Sequence, residues 1–254
     1  KRFLRLYPTY WICLFISVVV LCTSGLNRTN VEAIDIIMNF TMWQQFLEFK
    51  NVDGSYWSLL PELLFYFHMG FLILFKKKQK YIYYNFVILL FCLMHLFYPI
   101  KIFWRILNPY YILLFLIGIS FHRIYRGEKK LLNHILIWVN LFLSVFMYNM
   151  NHPSETIPYY GFTFTIIICL FYLFIHNKFL WLGKSKVLVF LGTISYPLYL
   201  IHSRLGFTVI YNLDKFNFPH NFSILFSIFF SVLIAFLIQY KIENRFRRFI
   251  TQKI

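Results

Sequence analysis

Eight apolar stretches of about 17 to 24 residues divide the chain, at roughly 7–26, 57–75, 82–100, 109–125, 131–148, 159–175, 187–210 and 222–240. A helix rises 1.5 Å per residue, so about 20 such residues cover the roughly 30 Å hydrocarbon core of a bilayer. The chain has 254 residues, of which 60% are hydrophobic and only 13% charged. A soluble domain carries roughly 25% charged residues, so these runs are not the core of a water-soluble fold. The expected fold class is all-α: a polytopic membrane helix bundle of about eight transmembrane helices. It reads as one integral-membrane domain over residues 1–254, with no internal repeat or appended soluble domain.

The charges between the runs orient the bundle. Nineteen of the 25 basic residues fall in alternate segments, in clusters around Arg2, Lys77, Arg126, Lys184 and Arg247. The other segments hold six basic residues and six of the nine acids. The positive-inside rule puts the basic set in the cytoplasm, and both termini with it, as an even number of spans requires. A net charge of +16 could indicate a nucleic-acid partner. The basic residues sit at the ends of apolar runs, however, so the bilayer is the partner and nucleic acid is not expected. The long outer segment, 27–56, is expected to form an interfacial helix or a lid.

A few polar residues stand inside the runs. Glu62, in Trp57-Ser58-Leu59-Leu60-Pro61-Glu62, is a carboxylate at membrane depth. Such a group costs about 2.5–3.5 kcal/mol on insertion scales and marks a functional candidate. Ser58, Glu62 and Tyr66 recur every four residues and are expected on one helix face. The alternative for Glu62 is a structural hydrogen bond between packed helices. In the seventh run, Ser195, Tyr199 and His202 share a face, and Pro197 is expected to kink or loosen the helix. On the charge-derived topology, Glu62 and His202 lie at similar outer depth, where a carboxylate and an imidazole could bind or deprotonate a hydroxyl. An interfacial amphipathic role is the other reading of His202.

Arg2 and Arg5 lie one turn apart at the cytoplasmic mouth of the first run. Two guanidiniums so spaced make a phosphate clamp for a nucleotide-bearing ligand, while plain anchoring at the membrane surface is the alternative. The four cysteines, at 13, 22, 92 and 169, all lie in apolar runs without a C-x-x-C, so neither a disulfide framework nor a metal site is expected. No phosphate-binding glycine loop, G-x-S-x-G or H-E-x-x-H occurs.

Taken in order, these segments resemble membrane acyltransferase family 3, whose members include O-acetyltransferases of bacterial polysaccharides. Arg2-Phe3-Leu4-Arg5-Leu6-Tyr7-Pro8 is similar to the family's R-x-x-R segment, and Trp57-Ser58-Leu59, Glu62 and Phe65-Tyr66 to its W-S-L-x-x-E-x-x-F-Y segment. Gly118 resembles the glycine of its F-x-x-G span. Leu191-Gly192, Ser195-Tyr196, Leu198-Tyr199-Leu200 and His202 resemble L-G-x-x-S-Y-x-L-Y-L-x-H. The chain departs from the pattern at Gly70 and Asn244, where prolines are usual. Family members usually have ten or more spans. The two that precede the R-x-x-R segment, one with a histidine regarded as catalytic, have no counterpart here, and the chain opens on Lys1. It reads as N-terminally incomplete.

The resemblance implies transfer of an acyl group, typically acetyl, from cytoplasmic acyl-CoA to a hydroxyl of an extracytoplasmic glycan or lipid-linked sugar, in the cytoplasmic membrane. Arg2 and Arg5 would hold acyl-CoA (acetyl-CoA), Glu62 and His202 would act on the acceptor, and Trp57, Ser58, Tyr66, Ser195 and Tyr199 would line its site. A transporter, a flippase or a polymerase for a lipid-linked polysaccharide is the alternative from another class.

Overall fold

The computed structural model describes residues 2–24, 30–74, 80–99, 101–128, 130–151 and 157–243. In chain order the helices are α1 (Arg2–Thr23), α2 (Ala33–Asn39), α3 (Leu59–Leu74), α4 (Lys80–Phe97), α5 (Lys101–Leu107), α6 (Pro109–Tyr125), α7 (Lys130–Asn151), α8 (Ile157–Ile175), α9 (Lys186–Lys215) and α10 (His220–Ile238). Short 3-10 turns occupy Gly54–Ser58 and Leu180–Lys184, and a π turn occupies Gln239–Glu243. No strand occurs among the described residues. Each of the eight apolar runs contains a helix. Four helical stretches are long and apolar enough to cross a bilayer: Leu6–Thr23, Trp104–Tyr125, Leu131–Asn151 and His220–Lys241. Tyr81–Phe97 and Tyr159–Ile175 are shorter apolar helices.

One boundary differs from those read in the sequence. Ser58 ends the 3-10 turn and α3 starts at Leu59, so Ser58 does not belong to the α-helix that carries Glu62 and Tyr66. The cause is Asp53, whose side chain accepts from Ser55 N and winds the preceding residues into a tighter turn. Pro61 falls in the first turn of α3, where a missing N–H costs nothing. The fourth run is preceded by α5, and Asn108 at φ 44° separates the two helices. Pro197 lies inside α9, which continues unbroken to Lys215.

The chain divides into two compact units, residues 1–60 with 183–254 and residues 61–182. In the first unit, α10 packs on α9 through a row of small side chains. Ser223, Ser227, Ser231 and Ala235 are all buried on α10. Ser227 Oγ donates to Gly206 O at 3.1 Å, and a Cβ added at Gly206 would stand 3.2 Å from that hydroxyl. Small residues let membrane helices approach closely, and the hydroxyl satisfies itself on the facing backbone.

The segment from 30 to 58 is knit onto α1. Tyr10, Tyr7 and Trp11 donate to the carbonyls of Asn39, Thr41 and Phe40 at 2.6, 2.9 and 2.9 Å. These are carbonyls at and just past the end of α2, the groups a helix C-terminus leaves without intrahelical donors. On α2, Asp35 Oδ2 accepts from Glu32 N at 2.9 Å and Oδ1 from Lys50 N at 3.0 Å. One turn on, Asn39 donates to Asp35 O and Lys50 O and accepts from Val52 N. Both side chains are buried, so the segment is a packed structure with the short helix α2 inside it.

The second unit centres on α6 and α7. Leu113 and Leu116 of α6, Leu136 and Met147 of α7, and Ile88 and Cys92 of α4 form one apolar cluster. Phe121, Ile137 and Ile168 anchor a second cluster that brings in α8. A polar chain threads the same packing: Tyr81 O–H lies 2.7 Å from Ser120 Oγ, and Asn85 Nδ2 donates to Tyr81 at 3.2 Å. Polar groups paired across helices in this way fix helix register where apolar packing alone is permissive.

Candidate active site

In the first unit, α9 carries the polar side chains of the seventh run. Tyr199 O–H and Ser58 Oγ stand 2.7 Å apart, joining the 3-10 turn to the middle of α9. The next turn of α9 meets the same loop again. Arg204 N lies 2.9 Å from Asp53 Oδ2, and Arg204 Nε donates to Val52 O at 2.6 Å. Asp53 Oδ1 accepts from both Ser55 N and Ser55 Oγ, at 2.9 and 2.8 Å. Asp53 is fully buried, and the three donors it accepts from, Arg204 N, Ser55 N and Ser55 Oγ, meet the need of a carboxylate there for hydrogen-bond partners. Tyr56, between these contacts, is also fully buried. It packs on Tyr10 at 5.1 Å and donates to Ser17 Oγ at 3.2 Å. Burial pushes its phenol well above the usual tyrosine range.

His202 lies within a turn of Tyr199 on α9, its ring 5.7 Å from the Tyr199 ring. Its Nδ1 is 2.8 Å from Tyr199 O. A carbonyl oxygen only accepts, so Nδ1 carries the proton. In the neutral ring Nε2 is then the lone-pair nitrogen, the atom a general base uses. His202 is exposed, so Nε2 is not sealed in packing. Ser195, expected on the same face, donates to Gly192 O one turn back at 2.8 Å. Its single proton is therefore held by its own helix. Trp57, next to Ser58, is exposed on the 3-10 turn.

Tyr196 carries a contact that sequence spacing did not single out. Its O–H donates to Leu6 O at 3.2 Å. This brings the turn of α1 that follows Arg2 and Arg5 to the level of Tyr196, three residues before Tyr199. The side chains of Arg2 and Arg5 lie outside the described residues; both positions belong to the first turns of α1. Lys186, the start of α9, is ten residues before Tyr196, or about 15 Å along the axis. The two helices therefore ascend out of step, with α1 beginning part-way along α9.

Glu62 and Tyr66 are in the second unit. Tyr66 O–H donates to Glu62 Oε1 across one turn of α3, and both residues are half-buried. Phe65 on the same helix stacks on Phe115 of α6 at 4.4 Å, which fixes the rotation of α3. Among the described residues no group of three or more His, Cys, Asp or Glu side chains is placed to hold a metal ion.

Helices of bilayer-spanning length and apolarity, bearing buried polar side chains, define a helical membrane protein. The model of the acyltransferase domain family, membrane acyltransferase family 3, matches residues 1–240, and the chain belongs to that family. It is a membrane acyltransferase, of the kind that transfers groups other than amino-acyl groups. No match was found among curated proteins or among solved structures.

Proposed function

We propose that the protein moves an acetyl group from cytoplasmic acetyl-CoA to a hydroxyl of an extracytoplasmic glycan, through a bundle of eight spans with both termini in the cytoplasm of a plasma-membrane protein. The observation that carries this reading is the Ser58–Tyr199 pair beside His202, whose tautomer leaves Nε2 as a base. In the proposed reaction the acceptor hydroxyl oxygen attacks the thioester carbonyl. A C–O bond forms and the C–S bond breaks. His202 Nε2 takes the hydroxyl proton, which ends on the departing thiolate. Ser58 and Tyr199 orient the acceptor, with Trp57 beside them, and Ser195 offers an acceptor oxygen from the previous turn. Glu62, which accepts from Tyr66 in the second unit, is a further candidate group for the reaction.

The out-of-step packing of α1 and α9 supports the donor end of this reading. A phosphate clamp formed by Arg2 and Arg5 would start from a turn close in height to Tyr196, so donor and acceptor groups need be separated by little more than a turn or two of helix. Such proximity converts a bimolecular acyl transfer into an intramolecular one.

The test is His202→Gln. Acetylation of the cell-surface glycan by cells expressing the variant at matched membrane abundance should fall by about 10²-fold or more, the range of a general base. Near-parental acetylation would remove His202 from the reaction. Glycan export or chain length that changes without any acetylation in the parent would replace the acyl-transfer reading with a transport or polymerase role.

A further inference from the structure

At the C-terminal end of α6, in the second unit, Tyr81, Ile119, His122, Arg123, Arg126 and Glu128 line an open recess of about 390 Å³. The turn that builds it is closed by backbone hydrogen bonds. Gly127, at φ 78°, takes the left-handed conformation that suits glycine. Its N donates to Ile124 O and Glu128 N donates to Arg123 O, both at 2.9 Å, a Schellman closure. The closure satisfies the last carbonyls of α6 with backbone donors, so the guanidiniums of the last turn are not needed to cap the helix. It also folds Glu128 back over Arg123, and Asn133 Nδ2 pins the Glu128 carbonyl at 2.7 Å.

Arg123 is held at two points. Its guanidinium carbon stands 5.0 Å over the Tyr81 ring, and Nη2 is 3.2 Å from Glu128 Oε2. Its Nε is buried without a hydrogen-bond partner. Among the described residues neither Arg126 nor His122 has a side-chain partner, and both are exposed at the recess. One carboxylate thus faces two guanidiniums and an imidazole, leaving a surplus of positive charge and unused N–H donors. Two guanidiniums around a small recess match the oxygens of a phosphoryl group, and the Tyr81 and Ile119 walls suit an apolar continuation of the ligand.

We propose that this recess binds a phosphoryl group, supplied by an anionic lipid headgroup or by a soluble phosphate compound. Basic pockets between membrane helices are suited to lipid headgroups, and a free phosphate ester presents the same oxygens. The site is separate from acyl transfer and does not depend on the proposed reaction. Binding draws Arg123 from Glu128, so the carboxylate is a competitor for the ligand.

The experiment uses the purified chain in two arms. In detergent, pyrophosphate binding is measured by calorimetry. In nanodiscs, the melting temperature in phosphatidylcholine is compared with that in equal parts phosphatidylcholine and phosphatidylglycerol. At least one arm should respond, and which one responds identifies the source. Arg126→Gln, at an exposed side chain with no internal partner, should weaken the response about tenfold, as loss of one charge-assisted hydrogen bond does. Glu128→Gln should tighten it several-fold, an effect that a purely structural Arg123–Glu128 pair would not give. No response in either arm overturns the proposal. So does a response that Arg126→Gln leaves intact, or one that Lys215→Gln, in the first unit, reduces equally, since that pattern marks diffuse charge attraction.

Discussion

Asp53 and Arg204, 151 residues apart, meet through a backbone donor: Arg204 N lies 2.9 Å from Asp53 Oδ2 inside the long helix α9. A helix-interior N–H ordinarily serves only the carbonyl four residues back. Here a buried carboxylate joins it, and the same carboxylate winds the 3-10 turn that ends at Ser58. Asp53 therefore sets the position of Ser58 opposite Tyr199. Asp53→Ala should leave Arg204 Nε on Val52 O but lose the link to the turn, at a cost of about 2–4 kcal/mol for a buried, multiply bonded carboxylate. The expected outcome is a lowered melting temperature of the detergent-solubilised protein, with Asp53→Asn intermediate because its amide oxygen keeps part of the set. An Asp53→Ala protein that melts like the parent would show that the turn is held by other contacts.

The Ser58–Tyr199 pair predicts a coupled loss. Ser58→Ala and Tyr199→Phe each remove one hydroxyl of a 2.7 Å contact and leave apolar packing intact. Acetylation should fall about tenfold or more in each, and the double variant should lose less than the product of the two single losses, because both act on one contact. Two independent losses that multiply in full would mean that the hydroxyls do not act together.

Asp35 gives a pH dependence with a definite sign. Backbone N–H bonds from Glu32 and Lys50 to its carboxylate hold it below the usual carboxylate range. A depressed folded-state value contributes stability that is fully present above the unfolded value, about 3.9, and is lost as the pH falls through the folded value. Amide hydrogen-exchange protection over residues 33–52 should thus hold at neutral pH and decline only below about pH 4. Asp35→Asn should flatten that decline. Protection that decays identically in parent and variant would assign the acid sensitivity to another group.

How much of this was readable in the sequence follows from the range of each interaction. A helix in each of the eight apolar runs was legible because a continuous apolar run has few other stable forms, and among the described residues four helical stretches are long and apolar enough to cross a bilayer. Ser58 was misassigned to the helix of Glu62 because the hydropathy of 57–75 is continuous. The turn that separates them depends on Asp53, whose other partners stand on α9. The packed form of residues 30–58 left a local trace, Asp35 and Asn39 four apart on α2, but their partners at 50–52 are set by chain reversal. A better signal was present in Tyr7, Tyr10 and Trp11, which share one face of α1 with polar ends available to donate. Tyr196 lay inside a recognised motif, yet its contact with Leu6 spans 190 residues and no spacing rule reaches it.

Glu62 supplies the last prediction. Among the described residues its one hydrogen-bond donor is Tyr66, one turn along α3 and itself half-buried. A carboxylate within an apolar span must be paired, protonated or reached by water, since an isolated charge there is expensive. Glu62→Gln keeps the shape and still accepts from Tyr66, so helix packing and membrane abundance should be unchanged. If the carboxylate orients the acceptor hydroxyl, acetylation of the surface glycan should drop about 10²-fold or more in Glu62→Gln. Tyr66→Phe, which leaves the carboxyl group in place but removes its donor, should cost about tenfold or less. A Glu62→Gln protein that acetylates like its parent would leave Glu62 as a helix-packing residue, with Tyr66 as its partner.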